Sequence, residues 1–141
     1  MIKVNPYLNF DGNTEEAFRF YQSVFGGEFS GVFRMKDAPE SEKLSEQERN
    51  RIMHIALPIA GGVTLMASDT VCGVGHSLKE GNNVYISLHP DSREEADRLF
   101  NGLSAGGKIE IPIQDTFWGD YFGSFTDKFG IRWMVNHSKQ Q

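Results

Sequence analysis

Hydrophobic positions along the chain follow two rhythms, a period of two and a period near 3.6, and the same succession of the two occurs twice. Val4 to Phe10 alternates as a strand does, and Asp11-Gly12-Asn13 breaks the pattern. Asn13 is placed as the N-cap of a helix with Glu15 and Glu16 in its first turn, where the positive end of the helix favours carboxylates. Ala17, Phe18, Tyr21, Val24 and Phe25 recur at helical spacing, and Gly26-Gly27 ends the run. Glu28 to Met35 reads as a second strand. Lys36 to Arg51 is charged and poor in apolar residues, which predicts a solvated loop with one helical turn after Ser45. Ile52 to Ile59 and Val63 to Ser68 follow as two strands, joined as a hairpin around Gly61-Gly62.

After a connector from Asp69 to Asn82 the order returns. Val84 to His89 is a strand, Pro90-Asp91-Ser92 breaks it, and Ser92 caps a helix carrying Glu94-Glu95-Ala96, then Leu99, Phe100 and Leu103, up to Gly106-Gly107. Lys108 to Ile113, Gly119 to Thr126 and Ile131 to Asn136 supply three more strands. The wording repeats as well: Asn13-Thr14-Glu15-Glu16-Ala17 answers Ser92-Arg93-Glu94-Glu95-Ala96. A repeat of this kind predicts a duplicated βαβββ unit within one domain spanning 1–141, with modules at about 1–69 and 82–137. The expected class is α+β: a curved, mostly antiparallel, cup-shaped sheet with its helices outside.

Composition narrows the function without naming it. Of 141 residues, 39% are hydrophobic and 23% charged, which is ordinary for a globular chain. A net charge of −5 with no clustering of Lys or Arg argues against nucleic acid as a partner. Cys72 is the single cysteine, so no internal disulfide or thiolate metal cage can form, and its neighbours Val71 and Gly73 offer nothing to activate the thiol. Met1 to Pro6 runs straight into a strand pattern, and no apolar stretch is long enough to span a bilayer. The expectation is a cytoplasmic protein without a membrane partner.

The two-module grammar, together with Pro6-Tyr7-Leu8-Asn9-Phe10, Gly12-Asn13, Glu16-Ala17, Phe20-Tyr21, Val24-Phe25-Gly26-Gly27-Glu28, Ile52-Met53-His54, Leu65-Met66-Ala67-Ser68-Asp69, Trp118-Gly119-Asp120 and Asp127 to Val135, resembles the PhnB-like branch of the glyoxalase/bleomycin-resistance/extradiol dioxygenase (vicinal oxygen chelate, VOC) superfamily. That resemblance covers nearly the whole chain in order. It implies two modules that each curl into part of a cup, and subunits paired as a homodimer. It does not supply an activity.

Metal-dependent members of that superfamily place one His or Glu on the first and last strand of each module. Carried over by register, those positions fall on Asn5 or Pro6, Met66, Val84 or Tyr85, and Met134. None is a histidine or carboxylate, and a thioether is a poor ligand for a hard divalent ion. The expectation is therefore no metal and no cofactor at the superfamily's usual place.

Strand alternation then assigns faces. Met53, Ile55, Leu57 and Ile59 are expected under the helices, with Ile52, His54, Ala56 and Pro58 facing the cup. Asn5, Tyr7, Asn9, Thr64, Met66, Ser68, Tyr85, Ser87, His89, Arg132, Met134 and Asn136 are expected to face inward. Tyr121 and Phe125 are expected to join them, by hairpin pairing across Asp127 to Gly130. The candidate ligand-binding set is Tyr7, His54, Met66, Tyr85, Tyr121, Arg132 and Met134, mixed polar and apolar as small-molecule sites are. His54 is also the candidate acid–base group. Of the other histidines, His89 is expected to be half-exposed, and His76 and His137 carry no role. Trp118 and Trp133 are read as wall or core aromatics.

Four functions compete. A metal-free small-molecule-binding protein leads. An enzyme of the same fold, such as a lyase, isomerase or dioxygenase using a relocated metal or His54, is the alternative. Relatives of the branch are often named as demethylubiquinone methyltransferases. A nucleotide-like methyl donor normally wants a Gly-rich strand-to-helix turn in a parallel sheet, whereas here Gly26-Gly27 ends a helix and Gly61-Gly62 turns a hairpin. A structural dimer with a vestigial cup is the fourth.

Overall fold

In the computed structural model, which describes residues 1–70 and 77–138, the first strand is shorter than the alternation predicts, and Pro6 is the reason. Strand β1 is Tyr7–Phe10. Pro6 has no N–H to give to a ladder. Its carbonyl instead accepts from Met66 N at 3.1 Å, and the Asn5 side chain accepts from Thr64 N at 2.9 Å in place of backbone pairing. Helix α1 is Thr14–Phe25, and β2 is Gly31–Arg34. Two 3-10 turns, Met35–Asp37 and Ser41–Lys43, precede the single turn α2, Glu46–Arg49, whose Glu48 N donates to Ser45 Oγ at 3.2 Å. Strands β3, Ile52–Pro58, and β4, Thr64–Asp69, are joined through a turn at Ala60–Gly62.

The second half repeats the order with β5, Ile86–Leu88; α3, Arg93–Ser104; β6, Lys108–Asp115; β7, Asp120–Thr126; and β8, Arg132–Ser138. The chain divides into two compact units, Met1–Lys79 and Glu80–Gln141. Each unit holds one four-stranded sheet, ordered β1-β4-β3-β2 in the first and β5-β8-β7-β6 in the second. In each, the outer pair (β1 with β4, β5 with β8) is parallel and the rest antiparallel. This is the α+β fold of tandem βαβββ modules that the chain's rhythm predicts. Cys72 and His76 lie outside the described residues. None of the helices among the described residues is long and apolar enough to cross a membrane.

One face of each sheet is covered by the unit's own long helix. In the first unit, Ala17, Phe18, Tyr21 and Val24 of α1 are buried, as are Ile55 and Leu57 of β3 and Leu65 and Ala67 of β4. Fully burying side chains such as Phe18 and Leu57 contributes about 1.5–3 kcal/mol each. In the second unit Ala96, Leu99, Phe100 and Leu103 of α3 cover Phe125, Trp133 and Val135, with the Phe100 and Phe125 rings edge to face at 5.1 Å. Gly123 lets α3 and β6 approach, since a Cβ there would stand 2.6 Å from the Phe100 ring and 2.8 Å from the Ile113 backbone.

Three expectations about faces are corrected. In β3, Phe33 pairs with His54 but Arg34 pairs with Ile52, so Met53 is a bulged extra residue. Met53 is therefore exposed and Ile52 buried, the reverse of simple alternation. Between β7 and β8 the turn contains five residues, not four: Asp127 N donates to Ile131 O at 2.8 Å, and Thr126 pairs with Arg132. One residue more in the turn moves every side chain of the strand to the other face. Tyr121 and Phe125 consequently lie on the α3 side, paired with His137 and Trp133, while Phe122, Ser124 and Thr126 share the open face with Asn136, Met134 and Arg132.

Candidate functional site

The faces left open by the helices carry most of the residues that the sequence singles out. In the first unit, Tyr7 of β1, Met66 of β4, Ala56 of β3 and Gly31 of β2 form one row across the sheet, falling from aromatic to no side chain at all. Beside it, His54 pairs with Phe33. Tyr7 reaches across β4, placing its OH 3.3 Å from His54 Nδ1 with the two rings stacked at 5.8 Å. Phe33, 50% exposed, leans back toward Gly31, where a Cβ would meet its ring at 3.3 Å. Tyr7, His54 and Met66 are thus brought together on one partly exposed, mostly apolar surface. A tyrosine hydroxyl and an imidazole in contact can donate, accept or pass a proton.

In the second unit Ser87, Met134, Ser124 and Ile111 form the equivalent row. Next to it Arg132 pairs with Thr126, and Thr126 with Lys108. Tyr85 OH donates to Glu110 at 3.0 and 3.1 Å, and Arg132 Nη1 makes an ion pair with the same carboxylate at 3.2 Å. Tyr85 and Arg132 therefore meet at Glu110, with Met134 in the neighbouring row of the same face. Tyr121 does not join them: its OH donates to Asp97 of α3 at 2.5 Å, and the Arg93 guanidinium lies 3.8 Å above its ring. The Asp97 hydrogen bond, with burial and the carboxylate's charge, raises the Tyr121 hydroxyl above the usual tyrosine range. His89 is exposed and meets Ser87 Oγ at 3.1 Å, and His137 Nδ1 lies 2.9 Å from Pro90 O.

Glu110 is the site residue that alternation misses. The register of β6 slips between Ile109 and Ile111, and the bulge swings Glu110 toward Arg132. Pro112 was the available signal, because a proline inside a strand marks an edge or a bulge where alternation fails. Asp69 is the second omission, and its role is architectural. Its carboxylate accepts from Gly12 N, Thr14 N, Thr14 Oγ1 and Ile52 N at 2.7–3.1 Å. It caps α1, where Asn13 makes no side-chain cap bond.

The superfamily's metal positions can be tested on these donors. The residue opposite Met66 on β1 is Tyr7, and the one opposite Met134 on β5 is Ser87. Neither a thioether beside a phenol, in the first unit, nor a thioether beside a hydroxyl, in the second, suits a hard divalent ion. Among the described residues no three His, Cys, Asp or Glu side chains are grouped to hold a metal.

Comparison with known proteins places this geometry in a family. Residues 2–136 match the family described as 3-demethylubiquinone-9 3-methyltransferase. The chain belongs to this PhnB-like family. Its relatives include protein YjdN of Escherichia coli strain K12, 36% identical over 99% of this chain and 98% of that one. Protein PA1353 of Pseudomonas aeruginosa has a crystal structure that is 39% identical over 98% of each chain, with a TM-score of 0.86. The PhnB protein of Bacillus cereus is 25% identical over 97% of this chain and all of that one, with a TM-score of 0.77. The fold is shared by a glyoxalase/bleomycin resistance protein/dioxygenase family enzyme of Burkholderia phytofirmans, 15% identical over 95% of this chain and 98% of that one, with a TM-score of 0.57. In this PhnB-like chain the turn from β1 into α1 holds one glycine, Gly12, and its N–H is already given to Asp69 at 2.8 Å. Gly26 and Gly27 follow α1, and Gly61 and Gly62 lie between β3 and β4.

Proposed function

We propose that this PhnB-like protein is a single-domain, metal-free binder of a small organic molecule, working in the cytoplasm as a homodimer. The observation that carries the reading is the pair of open sheet faces. Each combines an aromatic ring, a methionine and a few polar groups, and their opposite faces supply the core. Small-molecule sites have that composition. The homodimer and the absence of a metal are what the VOC resemblance and its replaced ligand positions imply. A methyltransferase reading lacks support in the glycine placement, since among the described residues no Gly-rich strand-to-helix turn is free to take a nucleotide-like methyl donor.

A second reading rests on the Tyr7–His54 contact at 3.3 Å, which sets an imidazole beside a hydroxyl on an open face. In that reading His54 is an acid–base group of a VOC-type enzyme, with or without a relocated metal. The test is elemental analysis of the purified protein, a titration with Ni²⁺, Mn²⁺, Fe²⁺ and Zn²⁺, and a thermal-shift screen of small organic ligands. Binding without metal predicts no stabilisation by the ions, and stabilisation by some ligands that weakens in Tyr7→Ala or Met134→Ala. Near-stoichiometric metal that disappears in His54→Ala would overturn it in favour of the enzyme.

A further inference from the structure

The second unit holds a guanidinium that is fixed in place but not fully used. Arg132 Nε donates to Gly81 O at 3.2 Å, and its Nη1 donates to Glu110 Oε2 and Thr126 Oγ1, each at 3.2 Å. The Tyr85 ring lies 6.0 Å from its Cζ, and Tyr85 OH holds the same Glu110 carboxylate. Three anchors thus set the plane of the guanidinium, while Nη2 has no hydrogen-bond partner among the described residues. The Arg132 side chain is 25% exposed and that of Glu110 29%, so the pair is only partly withdrawn from solvent. Beside them on the same open face stand Met134 and Ile111, an apolar strip one row away.

We infer that Arg132 Nη2 is the polar anchor for the ligand of this face, and that the group it takes is a neutral carbonyl oxygen on an apolar or aromatic body. The inference rests on the small-molecule-binding reading and names the ligand class for it. The charge decides between acceptors. A free, pre-organised guanidinium would select a carboxylate or phosphate, which it grips through two N–H groups. Here the positive charge is already balanced by Glu110, so a full anion brought to Nη2 meets that carboxylate across a partly dehydrated surface. Lys108 is the other cation of the row, but it is exposed on edge strand β6 with Thr126 of β7 between it and Arg132, where solvent screens it. A carbonyl oxygen needs only the spare N–H groups and adds no charge. Its organic remainder lies along Met134 and Ile111. Tyr85 and Glu110 are positioning residues in this scheme: they hold Arg132 and set its preference.

The methionines make the test direct, because Met66 reports the open face of the first sheet and Met134 that of the second. Full-length protein labelled at the Met methyls with ¹³C and at Arg Nε with ¹⁵N is titrated with benzamide, benzoate and phenylphosphonate. In the wild type, benzamide is expected to move the Met134 and Arg132 signals at lower concentration than either anion. In Glu110→Gln, which keeps an acceptor for Tyr85 and Arg132 but removes the charge, benzoate is expected to gain about tenfold on benzamide. In Arg132→Gln the Met134 response to benzamide is expected to be lost, with the Met66 signal of the folded protein unchanged. A wild-type preference for benzoate or phenylphosphonate, or a benzamide-to-benzoate ratio indifferent to Glu110→Gln, overturns the inference. Responses confined to Met66 overturn it as well while leaving small-molecule binding standing. Silence at both methionines overturns both.

Discussion

Asp69 shows how much structure one carboxylate can organise. It ends β4, yet its two oxygens accept from the β1–α1 turn, from the first residue of α1 and from the first residue of β3. It is 5% exposed, so any donor it abandons has little water to turn to. In Asp69→Asn one oxygen becomes an NH₂ that must face a backbone N–H. The expected cost is about 2–3 kcal/mol in urea-denaturation midpoints at constant m-value. A loss below about 0.5 kcal/mol, the range of an ordinary surface change, would mean that the carboxylate is not the cap it resembles. Asp69 was visible in the sequence only as the last letter of a strand motif, because nothing local says that a side chain 57 positions from Gly12 caps the helix beside it. Asn13 was the local choice for that role, and a partner arriving from β4 displaced it.

At the scale of elements, the contact between β7 and α3 supplies a titratable tie. Tyr121 is held by Asp97, which with burial raises the hydroxyl above its ordinary value near 10.0. A raised folded-state value means that folding favours the protonated phenol. That contribution is complete below the unfolded value and is lost as pH climbs from there through the folded value. Thermal midpoints of the wild type are therefore expected to fall above about pH 10 by more than those of Tyr121→Phe, which has no proton to lose. Parallel decline of the two curves would remove Tyr121 from the account. The same strand shows where reading by alternation stops. Element order, helix limits and the Ser92 cap are local properties and were legible, as was the company kept by Tyr7, His54 and Met66. The faces of Tyr121, Met53 and Glu110 depended on a five-residue turn and on bulges, each of which adds one residue to the count. Asp127 sets that turn length by accepting from Phe129 N and Ile131 N at 2.8 and 3.0 Å. A buried acceptor two positions before a backbone donor is a signal that alternation alone ignores.

For the molecule as a whole, the repeated strand order makes a prediction about where stability lies. Both sheets place the third and fourth strands of their unit at the centre and the second at an edge. In the first unit β3 and β4 bury Ile55, Leu57, Leu65 and Ala67 under α1, and in the second β7 and β8 bury Phe125, Trp133 and Val135 under α3. Strands β2 and β6 have one paired neighbour each in their sheets, and β6 leaves Ile109 and Ile111 exposed at 49% and 41%. Amides open most rarely where both neighbours are paired and the side chains are packed. Hydrogen exchange is therefore expected to be slowest in β3, β4, β7 and β8, and faster in β2 and β6 by at least tenfold. Slow exchange throughout β6 is the outcome that would break this symmetry. It would mean that a strand or surface outside its own sheet covers the edge, and dilution of the sample would tell whether that cover is a second copy of the chain, since protection by a partner falls as the dimer dissociates.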